Sequence, residues 1–282
     1  MSIEVNQVTK YYGNTCALDH VSLKLEENKI YGLLGRNGAG KTTLLNTITN
    51  HIFATEGEIF VDGLPAREND LAQQKIYMMS ETDYYPAKMK VKDIYKWTST
   101  FYPGFDMEYA MRTSELFELN TDKAVKALST GFNSIFKVII ALSVNTPYVL
   151  LDEPVLGLDA NNRELFYKLL IEKYSNNPCT IVVSTHLIEE VSNVIENVLI
   201  IKKGKIIRNE TREELLSKGY TVSGAATKID SYILGRNVIG TDSLGGLKSA
   251  YILGELDRAG IPEGIEVTKM DLQKLFVQLT NA

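Results

Sequence analysis

Along the first 65 residues, hydrophobic positions alternate with polar ones in the way a half-buried sheet requires. Ile3, Val5 and Val8 open the pattern, and Val21, Leu23 and Leu25 continue it with polar neighbours between them. A further β segment, Gly57 to Gly63, closes on an Asp62-Gly63 turn signal. Between these lies Ile30-Tyr31-Gly32-Leu33-Leu34, apolar throughout, which runs into glycines and then into Leu44, Leu45 and Ile48 at helical spacing. The stretch from about 87 to 145 predicts mostly helix. Strand and helix then take turns: Tyr148 to Leu151 strand, Arg163 to Tyr174 helix, Thr180 to Ser184 strand, Leu187 to Ile195 helix. That alternation predicts a parallel sheet covered by helices. Val198 to Ile201 and Lys205 to Ile207 flank Lys203-Gly204 as a closing hairpin, and Thr211-Arg212-Glu213-Glu214 fits a capping box that opens a short helix.

The texture changes beyond Gly219. Residues 219–282 hold nine of the chain's 20 glycines, and short apolar runs (Tyr251 to Leu253, Ile265 to Val267) alternate with helical stretches ending in Leu272, Leu275, Phe276 and Leu279. Enough apolar residues remain for a modest core, so this part reads as a small α+β appendage and not as disorder. Over its 282 residues the chain is 44% hydrophobic and 23% charged, the profile of a folded protein that needs no disulfide staples. Its net charge of −5, without any basic block, argues against a primary role in binding nucleic acid. The two cysteines, Cys16 and Cys179, lie far apart, show no metal-ligand spacing and are expected to pack as small apolar residues. No run approaches 18 apolar residues, and the N-terminus lacks the pattern of a signal peptide. A cytoplasmic protein that meets a membrane only through a partner is the expectation.

Chemistry first appears at Gly35-Arg36-Asn37-Gly38-Ala39-Gly40-Lys41-Thr42, which has P-loop spacing between an apolar strand and an amphipathic helix. Glycines there let backbone N–H groups curl around phosphates, and the helix N-terminus adds positive potential. Lys41 would reach the β and γ phosphates, and the Thr42 hydroxyl would ligate Mg²⁺. Such a loop needs a second acidic strand end, and Val149-Leu150-Leu151-Asp152-Glu153 supplies it. Asp152 would orient Mg²⁺ through water, and Glu153 could polarise the attacking water as a general base.

Two further features narrow the reading. Leu128-Ser129-Thr130-Gly131-Phe132 stands 24 residues before Asp152, and His186 follows the strand Ile181 to Thr185. With Gly35 to Thr43 and Asp152-Glu153, this order resembles the nucleotide-binding domain of ATP-binding cassette (ABC) transporters over about residues 1–215. The resemblance implies an α/β fold of the P-loop NTPase type. Its parallel core sheet would carry helices, an N-terminal antiparallel β subdomain and a helical subdomain at about 87–145. Residues 1–217 would form this cassette and residues 218–282 a C-terminal α+β accessory domain, an extension that export-type members often carry.

The same resemblance implies site roles. Gly35, Asn37, Gly38, Gly40, Lys41, Thr42 and Thr43 would hold ATP. Tyr12, with Tyr11 as the competing candidate, would stack on adenine. Ser129 and Gly131 would contact the γ-phosphate held by the opposite subunit of a dimer, and Asp159, in Gly157-Leu158-Asp159, belongs to the loop that meets its counterpart across that dimer. His186 would pin γ-phosphate and water. Glu81 stands where family members usually carry Gln, and would approach Mg²⁺ alongside Asp152 and Thr42. Thr130 and Phe132 replace the usual Gly and Gln of the signature, and Asn133-Ser134-Ile135-Phe136 leaves only Lys137 of its usual basic continuation.

Tyr84, Tyr85, Tyr95, Trp97, Phe101, Tyr102, Phe105 and Tyr109 crowd eight aromatics into 26 residues. Some must pack the helical subdomain, yet such density also suits a groove gripping a helix of a polytopic membrane subunit. A transporter ATPase, dimerising with a second copy or a different cassette at the cytoplasmic face of the membrane, is the leading expectation, with export of a peptide, toxin or antibiotic as the work done. The alternative is a soluble ABC ATPase acting on nucleic acid or ribosomes. Against it stand the single cassette, the acidic balance and the separation of 87 positions from Lys41 to Leu128, a stretch that holds no sustained heptads.

Overall fold

The computed structural model describes residues 1–256 and 260–281. The N-terminal alternation forms strands β1 (Ser2–Tyr12) and β2 (Thr15–Glu26); the apolar run is β3 (Ile30–Leu34), and helix α1 (Lys41–Ile48) follows the glycine loop. Next come β4 (Glu56–Val61), β5 (Leu64–Pro65), α2 (Asp70–Gln73) and β6 (Ile76–Met79). The helical stretch resolves into α3 (Val91–Phe101), α4 (Met107–Leu116) and α5 (Thr130–Ser143). The alternating part comprises β7 (Tyr148–Asp152), α6 (Ala160–Asn176), β8 (Thr180–Thr185), α7 (Ile188–Val191), β9 (Asn197–Lys202), β10 (Lys205–Thr211) and α8 (Arg212–Lys218). The remainder is β11 (Gly219–Ala225), α9 (Ala226–Tyr232), β12 (Val238–Leu244), β13 (Leu247–Leu253), β14 (Ile265–Lys269) and α10 (Leu272–Asn281).

Three sheets result. One is antiparallel in the order β2-β1-β4-β5; the central one runs β10-β9-β3-β8-β7-β6; the last runs β12-β13-β11-β14. In the central sheet every neighbouring pair is parallel except the β9–β10 hairpin. Its strands read as continuous apolar runs because both faces are covered. Ile30, Leu34, Val149, Leu151, Ile181 and Val183 enter the core beneath the helical subdomain, while the alternate residues Tyr31, Leu33, Tyr148, Leu150 and Val182 enter the core shared with the first sheet and α1.

The capping box forms as expected: Thr211 Oγ1 accepts from the Glu214 N–H, and the Glu214 carboxylate accepts from the Thr211 N–H. The expected helix at 187–195 is shorter, four residues only. The Ser192 hydroxyl donates to the Glu189 carbonyl, the local competition that makes serine a poor helix continuation. Cys179 is buried, whereas Cys16 is half-buried and donates to the Leu18 carbonyl.

No linker separates α8 from β11: Lys218 ends one and Gly219 begins the other. The last sheet has α9 on one side, where Ile229 and Tyr232 meet Tyr220, Val222, Ala250 and Ile252. Tyr251, Leu253 and the α10 residues Leu272, Leu275, Phe276 and Leu279 are instead continuous with the core under the helical subdomain, with α10 resting on α7 and α8. No described helix is long and apolar enough to cross a membrane.

Candidate nucleotide site

Strand order places the site. In an open parallel sheet, ligands are met beyond the carboxyl ends of the strands. Here β3, β8, β7 and β6 are consecutive neighbours, and their carboxyl ends lead to the Gly35 loop, His186, Asp152-Glu153 and Ser80-Glu81 respectively. Four segments scattered over 150 residues of sequence therefore share one edge. Residues Arg36 to Thr43, Glu81, Glu153, Leu156 and His186 line a cavity of about 460 Å³ there.

The loop needs its glycines for contact reasons as well as for conformation. Gly40 has φ +111° and begins α1, and a Cβ on it would stand 2.7 Å from the Ala17 carbonyl oxygen. Lys41 is buried, donates to the Gly35 carbonyl at 2.8 Å and pairs with Glu153 at 3.3 Å. The Thr42 hydroxyl donates to Asp152 Oδ2 at 2.7 Å, and Ser184 donates to Oδ1 at 2.8 Å. Burial raises the proton affinity of Asp152; the two hydroxyls oppose that shift, and the charge of Glu153 adds to it. A buried carboxylate beside a hydroxyl is a hard-oxygen donor set that suits Mg²⁺.

Glu153 sits at φ +48°, a left-handed conformation that costs a non-glycine residue about 1–2 kcal/mol. Its N–H is held by the Ser184 carbonyl at 2.8 Å. The carboxylate accepts from Thr185 Oγ1 at 3.2 Å and bonds His186 Nδ1 at 3.0 Å. Strained backbone held by its surroundings is characteristic of functional positions. Lysine, glutamate and histidine thus form one connected chain in the lining of the cavity.

Other candidates lie elsewhere. Ser129 and Thr130 line an adjoining cavity of about 540 Å³ that also touches Glu81, Asp152 and Glu153. Ser129 caps α5 by accepting from the Phe132 N–H, and the close approach of Gly131 to the Gly157 carbonyl leaves 3.0 Å for any Cβ. Asp159 lines neither cavity; its oxygens cap α6 by accepting from the Asn162 N–H and side-chain amide. Tyr12 lies at the end of β1, exposed, with the Lys10 ammonium 5.3 Å from its ring. Tyr11, the competitor, is opposite Cys16 and equally open. Ser184 and Thr185 escaped the sequence reading. The one signal available was the polar end of an otherwise apolar strand just before His186.

The aromatic cluster divides. Tyr85, Trp97, Phe101 and Tyr102, joined by Tyr77 and Met89, line an apolar groove of about 680 Å³. Tyr84 instead points to His51, and Tyr95 and Phe105 are buried in the core. Burial lifts the Tyr85 hydroxyl to about 12, and it hydrogen-bonds to Tyr77 at 2.8 Å.

The geometry agrees with comparisons to known proteins. The ABC transporter family profile matches residues 18–156. The chain is 31% identical over 196 residues to the ABC transporter ATP-binding protein YtrB of Bacillus subtilis, covering 70% of this chain and 67% of that one. It is 29% identical to the tungstate uptake ATP-binding protein TupC of Peptoclostridium acidaminophilum, covering 73% and 97%. It is 26% identical to the bacitracin transport ATP-binding protein BcrA of Enterococcus faecalis, covering 76% and 70%. A solved dimeric cassette bound to ADP and Pi superposes with a TM-score of 0.67 at 24% identity, covering 74% of this chain and 98% of that one. A P-loop, an acidic strand end and a histidine converge on one sheet edge, in a sequence alike to these relatives over most of its length. The chain therefore belongs to the family of ABC transporter ATP-binding proteins and is an ATPase of that kind.

Proposed function

We propose that the chain is the motor subunit of a membrane exporter, closing as a dimer around two ATP molecules and opening again on hydrolysis. The carrying observation is the convergence of Lys41, Thr42, Asp152, Glu153 and His186 at the ends of adjacent strands. In this reading Gly35, Asn37, Gly38, Gly40 and Thr43 cradle the phosphates and Tyr12 stacks on adenine. Thr42, Asp152 and Glu81 would hold the Mg²⁺ of the nucleotide, which when bound would neutralise charge on the phosphates. An arriving γ-phosphate competes with Glu153 for Lys41. The freed carboxylate can then take a proton from the attacking water while His186 steadies the phosphate. Ser129 and Gly131 serve the ATP of the opposite cassette, whether a second copy or a different chain, and Asp159 lies in the loop facing that cassette.

The apolar groove of Tyr85, Trp97, Phe101 and Tyr102 suits a helix of a polytopic membrane subunit, which would hold the chain at the cytoplasmic face of the membrane. Residues 218–282 act as an accessory unit docked on the cassette of residues 1–217. A peptide, toxin or antibiotic as cargo is supported by the likeness to BcrA, while TupC represents uptake at a comparable level of identity. Replacing Glu153 by Gln is expected to lower Mg-ATP turnover about 10²–10⁴-fold, the range for loss of a general base, while ATP still binds. Equal turnover in the two proteins rejects the reading. Co-purification with a polytopic membrane protein supports the proposed partner; co-purification with nucleic acid rejects it.

A further inference from the structure

Helix α10 ends against the phosphate loop, where a charged residue of the nucleotide cavity meets a neutral one from the C-terminal part of the chain. Arg36 lines that cavity together with Lys41, Glu81, Glu153 and His186. Its main chain is set by a tight turn, in which the Ala39 N–H donates to the Arg36 carbonyl at 3.0 Å. Its exposed side chain is left to be placed by other means, and the guanidinium donates to Asn281 Oδ1 at 3.1 Å. Among the described residues no carboxylate pairs with it. The acceptor is well anchored. Leu275, Phe276 and Leu279 bury α10 in the core that also holds Ile188 and Val191 of α7. Thr280 is buried and donates to the Phe276 carbonyl at 2.8 Å, and Lys202, at the end of β9, reaches the Leu279 carbonyl at 3.5 Å. Strand β9 lies beside β3, and a Cβ on Gly35 would stand 2.9 Å from the Ile201 carbonyl oxygen. The end of α10 is thus fastened both to the loop and to the strand packed against its base.

We propose that Arg36 is a further phosphate-binding residue and that Asn281 of α10 is its positioning residue, so that the C-terminal helix completes one wall of the nucleotide site. An exposed hydrogen bond contributes little to stability by itself. Its value here lies in what it holds ready. A free arginine side chain gives up much rotamer freedom on reaching a ligand, and one already held by a fixed acceptor gives up less. The choice of acceptor matters as much. A carboxylate would cancel the guanidinium charge, whereas an amide oxygen orients the group and leaves its charge and its other donors for an anion. The loop that carries Arg36 is of the kind that gathers phosphates. The inference rests on the nucleotide reading above, and its test keeps the two apart.

The measurement is binding of a fluorescent ATP analogue with Mg²⁺ to the whole chain. Arg36→Gln is expected to raise Kd about tenfold. Asn281→Ala, which frees the guanidinium, should raise it at least about threefold and KM for ATP with it, while kcat at saturating ATP changes less than about twofold. Asn281→Asp is the decisive variant. It keeps an acceptor for Arg36 but neutralises the charge, so binding should again weaken at least about threefold. A hydrogen bond that served only the fold would leave ATP binding untouched in that variant. In an Arg36→Gln background, neither change at Asn281 should weaken binding by more than about twofold further, because both act through one guanidinium. Asn281 is exposed at a helix end, and an unchanged circular dichroism spectrum checks that each variant folds. Weakening below about threefold in any of the three single variants, or a larger further loss in the Arg36→Gln background, overturns the proposal. A parent that binds no ATP overturns the nucleotide reading itself.

Discussion

Asp152 shows how a residue of the candidate site is set against the fold. It is 2% exposed, its two hydroxyl donors do not make up for lost water, and its proton affinity is raised. The native state thus holds this proton more tightly than the unfolded chain does, so stability falls as pH climbs through the folded-state range of the group. Asp152→Asn is expected to raise Tm at pH 7–8, to lose that advantage near pH 4, and to abolish Mg-ATP turnover; thermal scans across pH and a turnover assay check this. At the same scale the P-loop and Asp152-Glu153 were legible in the sequence because each is a short linear pattern at the end of an apolar run. Ser184, Asp83 and Asn133 were not. Their importance comes from partners 32 to 50 positions away, and no local pattern marks such pairings.

Among the elements, the apolar strands β3, β7 and β8 could be read directly, since burial on both faces leaves an unbroken run. The strand β6 was not distinguished: four residues carry too little periodicity to separate a strand from its surroundings. Yet β6 delivers Glu81 to the site, so the reading found the residue by its family position and not by its element. Helix α10 had visible apolar spacing, but its target was hidden. Leu275 is fully buried in the core that also holds the helical subdomain. Leu275→Ala is therefore expected to destabilise the whole chain by about 2–5 kcal/mol in a single cooperative denaturant transition. An early separate transition for residues 218–282 contradicts this.

For the whole molecule, two relations matter. The end of α10 reaches the phosphate loop, where Arg36 donates to the Asn281 side chain at 3.1 Å, so the C-terminal part of the chain touches the edge of the candidate nucleotide site. The groove lies on the helical subdomain, with Trp97 55% and Phe101 66% exposed, apolar area of the kind that marks a contact surface. Replacing both by Ala should reduce co-purification with the proposed membrane subunit at least tenfold while ATP affinity stays within twofold; undiminished capture rejects the groove. Tyr84 does not belong to this test, since it faces His51.

The sequence alone determined the class of chemistry, the alternation of strand and helix through β7, α6 and β8, and the pattern of the phosphate loop, because these depend on neighbours within a few positions. Tertiary structure alone decided three things: that Glu153 is strained and shared by Lys41 and His186, that Lys137 binds the Glu81 segment, and that α10 packs into the core beneath the helices α3 to α5. Each depends on where strand order and helix packing bring distant residues together, a property of the folded chain as a whole.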